Sequence, residues 1–397
     1  MSATAADTGP LAGVRVLDLT RLLPGPVATL YLADLGADVV KVEDTGDGDY
    51  LRRIGGKPGT VSAFYRAVNR NKRSIAIDLK QERGREAFLA LARCADVVVE
   101  SFRPGVVAAL GVDYAAIAAV NPRIVYAALS GYGQAGPRAQ AAGHDINYLG
   151  YAGVLDQTGA RDGPPALANL QIADLLGGAA MTAVGVLAAL VGVGRAGRGR
   201  YVDVAMADAS LAHNICALST LAQWGATLPR GRDLLTGGVP CYGVYATSDG
   251  RWLAVGALEA KFWNALCDAL GRPDLRPGRV AQGAEGERVR GELERIFAAE
   301  PLAAWVERLS GIDCCATPVA TLEEALSDPQ FVAREMIVAE PDGARAYAPP
   351  FKLSEHAFAI ARTAPAQGEH GVEVLREAGF AKAAIEALVA ERVLRLP

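Results

Sequence analysis

A chain of 397 residues exceeds what one ordinary hydrophobic core organises, so two or possibly three folding units are expected. Its 51% hydrophobic and 21% charged residues, with 44 glycines and 21 prolines, exclude disordered and fibrous classes. A formal net charge of -4, without any long block of one sign, leaves no electrostatic footprint for nucleic acid, although local basic stretches could bind one anionic group.

Met1 to Gly9 carry neither an apolar core nor arginines, so no signal or transit peptide is expected there. Val14 to Leu19 is a short apolar strand pattern. Pro24-Gly25-Pro26 opens a helical stretch to Leu35, Gly36 interrupts it, and Val39 to Glu43 reads as a second strand. Strand, helix and strand in so short a span make a βαβ unit, whose sheet is parallel. The pattern repeats with a strand at Ser74 to Leu79, a helix at Glu82 to Ala92, and strands at Asp96 to Glu100 and Ile124 to Leu129. The fold class is therefore α/β, with a Rossmann-like open sheet in the first domain.

The first βα loop, Leu23-Pro24-Gly25-Pro26, lacks a glycine fingerprint. The GxGxxG at Gly192 to Gly197 leaves a helix and enters the strand pattern Tyr201 to Val204, the reverse of a dinucleotide motif, and reads as a helix-stopping turn. NAD and FAD are excluded there. Leu175 to Val193 contains no charge and approaches the length of a membrane span. It is rich in alanine and glycine and flanked by Asp174 rather than an aromatic belt, so a buried core helix is expected and no membrane partner.

A helical run from Asp208 to Trp224 leads into Gly225 to Pro240, whose glycine, arginine and proline content reads as an inter-domain linker. Tyr242 to Thr247, Ser248-Asp249-Gly250 and Arg251 to Gly256 form a strand, turn and strand with an Asp-Gly hairpin signal. Helical patterns follow at Lys261 to Leu270, Arg288 to Ala299 and Leu302 to Leu309, and Gly368 to Leu394 holds an amphipathic helical pair. The expected organisation is a large domain over 1–200 completed by 335–397, a linker helix and loop over 201–240, and a smaller α+β domain over 241–334. Cys94, Cys216, Cys241, Cys267, Cys314 and Cys315 show no CxxC spacing and no companion histidine, which predicts reduced thiols, a cytoplasmic protein and no metal site.

The candidate chemistry lies between residues 143 and 178. His144, in Gly143-His144-Asp145-Ile146-Asn147-Tyr148, and Asp174, in Ile172-Ala173-Asp174-Leu175, each stand where an apolar stretch begins and form a candidate acid/base pair. Either residue alone also fits an ordinary helix N-cap. His213, His356 and His370 have no comparable setting and read as surface or packing residues.

Val14 to Leu19, Leu35 to Glu43, Asn69-Arg70-Asn71-Lys72-Arg73-Ser74, Phe102-Arg103-Pro104-Gly105 and Ser130-Gly131-Tyr132-Gly133 resemble, in order and spacing, the successive blocks of the CaiB/BaiF family, the class III CoA transferases and their relatives. The likeness runs from Leu11 nearly to the C-terminal helices. Gly143 to Tyr148 and Gly256-Ala257-Leu258-Glu259 resemble the α-methylacyl-CoA racemase branch in particular.

That resemblance implies an acyl-CoA substrate, no separate cofactor, and His144 and Asp174 as the two acid/base groups facing opposite sides of the α-carbon. An N-terminal helix position would favour an ionised Asp174 and leave amides free for an enolate oxygen. The resemblance further implies an intertwined, interlocked homodimer with the active site between chains, in which Glu259 of the partner subunit orients His144. Asp145 is expected to add a supporting hydrogen bond. For the CoA moiety the resemblance points to the first domain, where Arg70, Lys72, Arg73 and Arg103 suit phosphates and Leu79 and Phe102 suit the adenine. A solvated basic loop is the bland alternative for the cations. Two functional alternatives stay open: CoA transfer between carboxylic acids through an anhydride on Asp174, and thioester binding without catalysis.

Overall fold

The computed structural model describes residues 9–56 and 61–397. The expectation of no targeting segment in the first eight residues lies outside that range. Six short strands rich in valine and isoleucine form the main sheet: β1 (Arg15–Asp18), β2 (Asp38–Glu43), β3 (Lys72–Ile77), β4 (Val97–Glu100), β5 (Val125–Ser130) and β6 (Arg200–Ala205). They pair in parallel in the order β3-β2-β1-β4-β5-β6, and Leu394–Arg395 adds an antiparallel edge beside β3.

Alternate residues of these strands serve two cores, as a period of two requires. Leu17, Val40, Ile75, Val98 and Tyr126 face one layer, where Phe88, Leu91, Leu375 and Leu388 cover them. Val16, Val39, Val97 and Val125 face the other, covered by Leu32, Val186, Ala189 and Val193. Burial on both faces explains why the strands read as near-continuous apolar runs. Each buried large side chain contributes roughly 1.5–3 kcal/mol of transfer free energy. The order of the strands reverses between β1 and β4, so the crevice outside their carboxyl ends is the topological switch point of the sheet.

The expected strands and helices appear within a few residues of their sequence boundaries, with three departures. Residues 173–196 form one helix of 24 residues and mean hydropathy 2.0, long and apolar enough by composition to cross a membrane. It is not fully buried as expected: Val186, Ala189 and Val193 pack on the sheet, while Val184 and Val191 are 56% and 55% exposed. The GxGxxG lies mostly inside this helix, which ends at Ala196 with Gly197 in the left-handed region. The run expected over Asp208 to Trp224 is two helices, Met206–Ala212 and Ile215–Trp224. Asn214, a weak helix former whose side chain competes for backbone partners, separates them.

The chain divides into two compact units whose boundaries differ from the sequence expectation. The larger holds 1–152, 169–213 and 333–397; the smaller holds 153–168 and 214–332. Tyr201 to Val204, placed in the linker by the sequence, belong to β6 and extend the large sheet. Residues 153–168 join the smaller unit through ion pairs and carbonyl contacts far apart in sequence. Arg230 donates to the carbonyls of Asp156 and Gly163, Arg232 grips Asp162 through both carboxylate oxygens, and Arg161 pairs with Glu287.

In the smaller unit Tyr242–Ala246, Trp252–Gly256 and Ala316–Pro318 form a three-stranded antiparallel sheet. The Asp-Gly hairpin forms as expected, with Gly250 at φ +74°. Helices Ala260–Ala269, Gly283–Phe297 and Leu302–Leu309 cover the sheet around buried Tyr245, Trp263, Phe297 and Trp305.

Candidate active site

Loops leaving β1, β4 and β5 enclose a cleft of about 820 Å³ in the larger unit. Arg21 to Pro24 come from the first loop, Ser101 to Pro104 from the second, and Ser130 to Tyr132 with Gly143 and His144 from the third. Asn169, Gln171, Asp174 and Met206 complete the wall. The cleft therefore opens at the switch point, and it brings His144 and Asp174, thirty residues apart in sequence, to a single cavity.

His144 precedes helix Asp145–Tyr151 as its N-cap, with extended backbone. Its amide donates to Oδ1 of Asn147 at 3.0 Å, which holds the first turn from the opposite side. His144 is exposed and lines the cleft. Tyr148 fixes the approach to this residue. Its hydroxyl donates to the Gly143 carbonyl at 2.6 Å, and its ring fills the space that a Cβ on Gly131 or Gly143 would take, with ring carbons 2.4 and 2.8 Å away. No side chain fits at either glycine without displacing the tyrosine. Sequence reasoning overlooked Tyr148, whose signal was the i, i+4 spacing from His144.

Asp174 lies in the π-helical first turns of the long helix, Ala173–Ala180. Its carboxyl is pushed up to about 7, first by burial and then by the neighbouring Asp145 charge. The expectation that a helix N-terminus favours the ionised form is reversed, because partial desolvation and a like charge outweigh the few terminal amides. Two of those amides are also occupied. The Asp174 amide donates to Oδ1 of Asp145 at 3.0 Å, and the Leu175 amide to the Gln171 carbonyl at 2.8 Å. Asp145 thus contacts the backbone of Asp174.

The predicted CoA residues separate. Phe102 and Arg103 line the cleft. Arg70, Lys72, Arg73 and Leu79 do not. Arg70 is buried and grips Asp34 through Nε and Nη2. Lys72 is fully buried, donating to Asp18, the Pro26 carbonyl, Thr29 and Asn69 at 2.8–3.1 Å. Arg73 pairs with Asp38, Glu373 and Glu377. Three cations in four residues read as a basic loop, yet each is neutralised within the fold, and Leu79 packs against the sheet's core. The first strand supplies part of the reason, since Asp18 accepts from both Lys72 and Thr29. Burial pushes the Asp18 carboxyl up, but Lys72 and Lys41, with the Thr20 and Thr29 hydroxyls, outweigh it and hold it at about 2.

Glu259 stands in the smaller unit, exposed, at the N-cap of helix Ala260–Ala269 without a side-chain capping bond. The remaining histidines are engaged with backbone and do not line the cleft: His213 with the Ala209 carbonyl, His356 with that of Asp34, and His370 with the Ser74 amide.

A chain of this architecture matches the family model described as CoA-transferase family III over residues 11–371. It is 36% identical to the α-methylacyl-CoA racemase of Homo sapiens, covering 97% of both chains. It is 35% identical to the acetyl-CoA:oxalate CoA-transferase of Acetobacter aceti, covering 84% of this chain and 87% of that one. The crystal structure of a CaiB/BaiF family protein from Brucella suis superposes with a TM-score of 0.81 at 30% identity, covering 94% of this chain and all of that one. With the family match spanning most of the sequence and the fold agreeing, the chain is an enzyme of the CoA-transferase family III.

Proposed function

We propose that the enzyme interconverts (2R)- and (2S)-2-methylacyl-CoA thioesters by cofactor-free 1,1-proton transfer through an enolate. The observation that carries this reading is the convergence of His144 and Asp174 on one cleft, with the Asp174 carboxyl at about 7. Inverting a carbon beside a thioester requires one group to remove the α-proton and another to return a proton to the opposite face. Both must then exchange protons near neutrality. An imidazole is the side chain type suited to that exchange. An ordinary aspartate is not, and the raised value at Asp174 brings it into range.

In one direction the His144 imidazole takes the proton and protonated Asp174 delivers its own to the other face; in the other direction the roles exchange. The likeness to a curated racemase supports the assignment, and His144 distinguishes it from anhydride chemistry, which needs only a carboxylate nucleophile. The reading includes an interlocked homodimer in which Glu259 of the partner subunit fixes the His144 tautomer. Ile215, Leu218 and Trp224, at 62%, 65% and 75% exposure on one helix, support a second subunit that covers them.

The test is α-proton exchange in deuterated water on (2S)-2-methylacyl-CoA without an acceptor acid. Deuterium at C2 and loss of optical purity should appear together, vanish in His144→Ala and fall sharply in Asp174→Ala. Absent exchange, with a new CoA ester formed from an added carboxylic acid in a manner dependent on Asp174 and not on His144, would make the enzyme a CoA transferase instead.

A further inference from the structure

One phenol in the cleft is held by its ring and left free at its hydroxyl. Tyr132, in the loop after β5, lines the cleft together with His144 and Asp174. Tyr148 meets its ring edge-on, with centroids 5.1 Å apart and planes at 82°, and Tyr151 does so at 5.8 Å and 78°. Tyr148 and Tyr151 both stand on helix Asp145–Tyr151, the one that His144 caps, and the Arg138 guanidinium in turn lies 3.9 Å from the Tyr151 ring centroid. The Tyr132 hydroxyl stands 3.0 Å from the place a Cβ on Gly143 would take, beside the residue that precedes His144. It makes no hydrogen bond among the described residues, whereas the Tyr148 hydroxyl is committed to the Gly143 carbonyl. Burial, and then the neighbouring Tyr151, push the Tyr132 phenol up from its ordinary value, so it carries its proton at neutral pH.

We infer that the Tyr132 hydroxyl donates a hydrogen bond to the thioester oxygen as the enolate forms, which makes it a third catalytic group beside His144 and Asp174. The assignment rests on the proton-transfer reading above. When the α C–H bond breaks, its proton passes to one acid/base group and its electron pair moves onto the carbonyl oxygen, where negative charge grows. When the pair returns to carbon, that carbon takes a proton from the other group and the oxygen gives the charge up. Tyr132 keeps its own proton throughout. Its raised value makes it a poor base near neutrality, which separates its part from those of His144 and Asp174. Two amides at the start of the Asp174 helix are not available for this oxygen, since they already donate to Asp145 and to the Gln171 carbonyl. A phenol whose ring two aromatic contacts have already oriented needs no reorganisation at the moment charge develops, and that is the condition under which such a donor counts most.

The experiment follows α-proton exchange on (2S)-2-methylacyl-CoA in deuterated water for wild type and Tyr132→Phe. It also records, by difference infrared spectroscopy, the carbonyl stretch of the bound ester isotopically labelled at the thioester carbon. Phenylalanine keeps both ring contacts and removes the donor alone. The kcat for exchange should fall roughly 100-fold, the order lost when one such donor is removed, with KM within about three-fold of wild type. The carbonyl band of the bound ester should lie at lower frequency in wild type than in the variant, a signature that a packing role does not produce. Exchange at the wild-type rate, or superposable carbonyl bands, would overturn the role of Tyr132 and leave the two-base reading standing. A variant that raises KM with kcat intact overturns it as well, because the lost contact would then be one of uniform binding. Wild-type protein that catalyses no exchange overturns the proton-transfer reading and the Tyr132 role together.

Discussion

The backbone amide of Asp174 donates to Oδ1 of Asp145 at 3.0 Å, so the residue after His144 both anchors the start of the Asp174 helix and places a negative charge beside the Asp174 carboxyl. One aspartate thereby couples the two halves of the site. The geometry and the electrostatics of that coupling can be separated, because an asparagine keeps the accepting oxygen and removes the charge.

Asp145→Asn should leave the helix start in place and lower the Asp174 pKa, since burial remains as the larger cause of its elevation and only the like charge is lost. In the pH profile of kcat/KM for racemisation, the limb assigned to Asp174 should move to lower pH by roughly half to one unit. A profile superposable on wild type would show that Asp145 contributes anchoring and no electrostatic effect.

Asp174 also predicts a trade between activity and stability. Its folded pKa of about 7 lies above the ordinary value of 3.8, so the neutral form is the one the fold favours. Its contribution is fully present below about pH 3.8 and is lost as pH rises through 7. Asp174→Asn, neutral at all pH values, should therefore be inactive yet more stable than wild type at pH 8, by up to about 4 kcal/mol. The difference should vanish near pH 4. Urea unfolding at both pH values measures it, and parallel stability curves for the two proteins would refute a raised native pKa.

The sheet and its helices were legible because their signals are local: valine-rich runs of four to six residues, Pro24 opening a helix, Asp-Gly closing a hairpin. The pair His144 and Asp174 was legible as a pair of helix starts. Charge was misread because a cation's partner is set by tertiary structure. Nothing local to Arg73 announces Glu373 and Glu377, three hundred residues on. Tyr132 received no role for the converse reason: a single tyrosine in a β5 loop acquires its meaning only from Tyr148 and Tyr151, which a later helix packs against it.

Tyr148 predicts a kinetic effect without contact to the reacting atoms. Tyr148→Phe keeps the ring that packs on Gly131 and Gly143 and removes the bond to the Gly143 carbonyl. Stability should fall by about 1 kcal/mol, the usual net value of one hydrogen bond. kcat should fall several-fold at nearly constant KM, because His144 loses part of its backbone support. Gly143→Ala should be harsher, since its Cβ would stand 2.8 Å from a Tyr148 ring carbon and 3.0 Å from the Tyr132 hydroxyl. A Tyr148→Phe enzyme with wild-type kcat would remove the tyrosine from any part in positioning His144.

Arg73 supplies the complementary case, a cation expected at the CoA site that the fold employs for itself. Its guanidinium is 5% exposed, donates to both oxygens of Asp38, and bonds Glu373 and Glu377 in the helix that covers β3. Replacing it with methionine keeps much of the apolar stem and removes one partner from three carboxylates that are 33–52% exposed; Asp38 and Glu377 keep Arg15, and water offsets part of the loss at Glu373. The expected destabilisation is about 2 kcal/mol. CoA affinity, measured in the folded protein by calorimetry, should stay within about two-fold of wild type, well inside the loss expected for a direct phosphate contact. A ten-fold weaker CoA complex at unchanged stability would return Arg73 to the nucleotide site and break the division drawn between cations that hold the sheet together and cations that face the cleft.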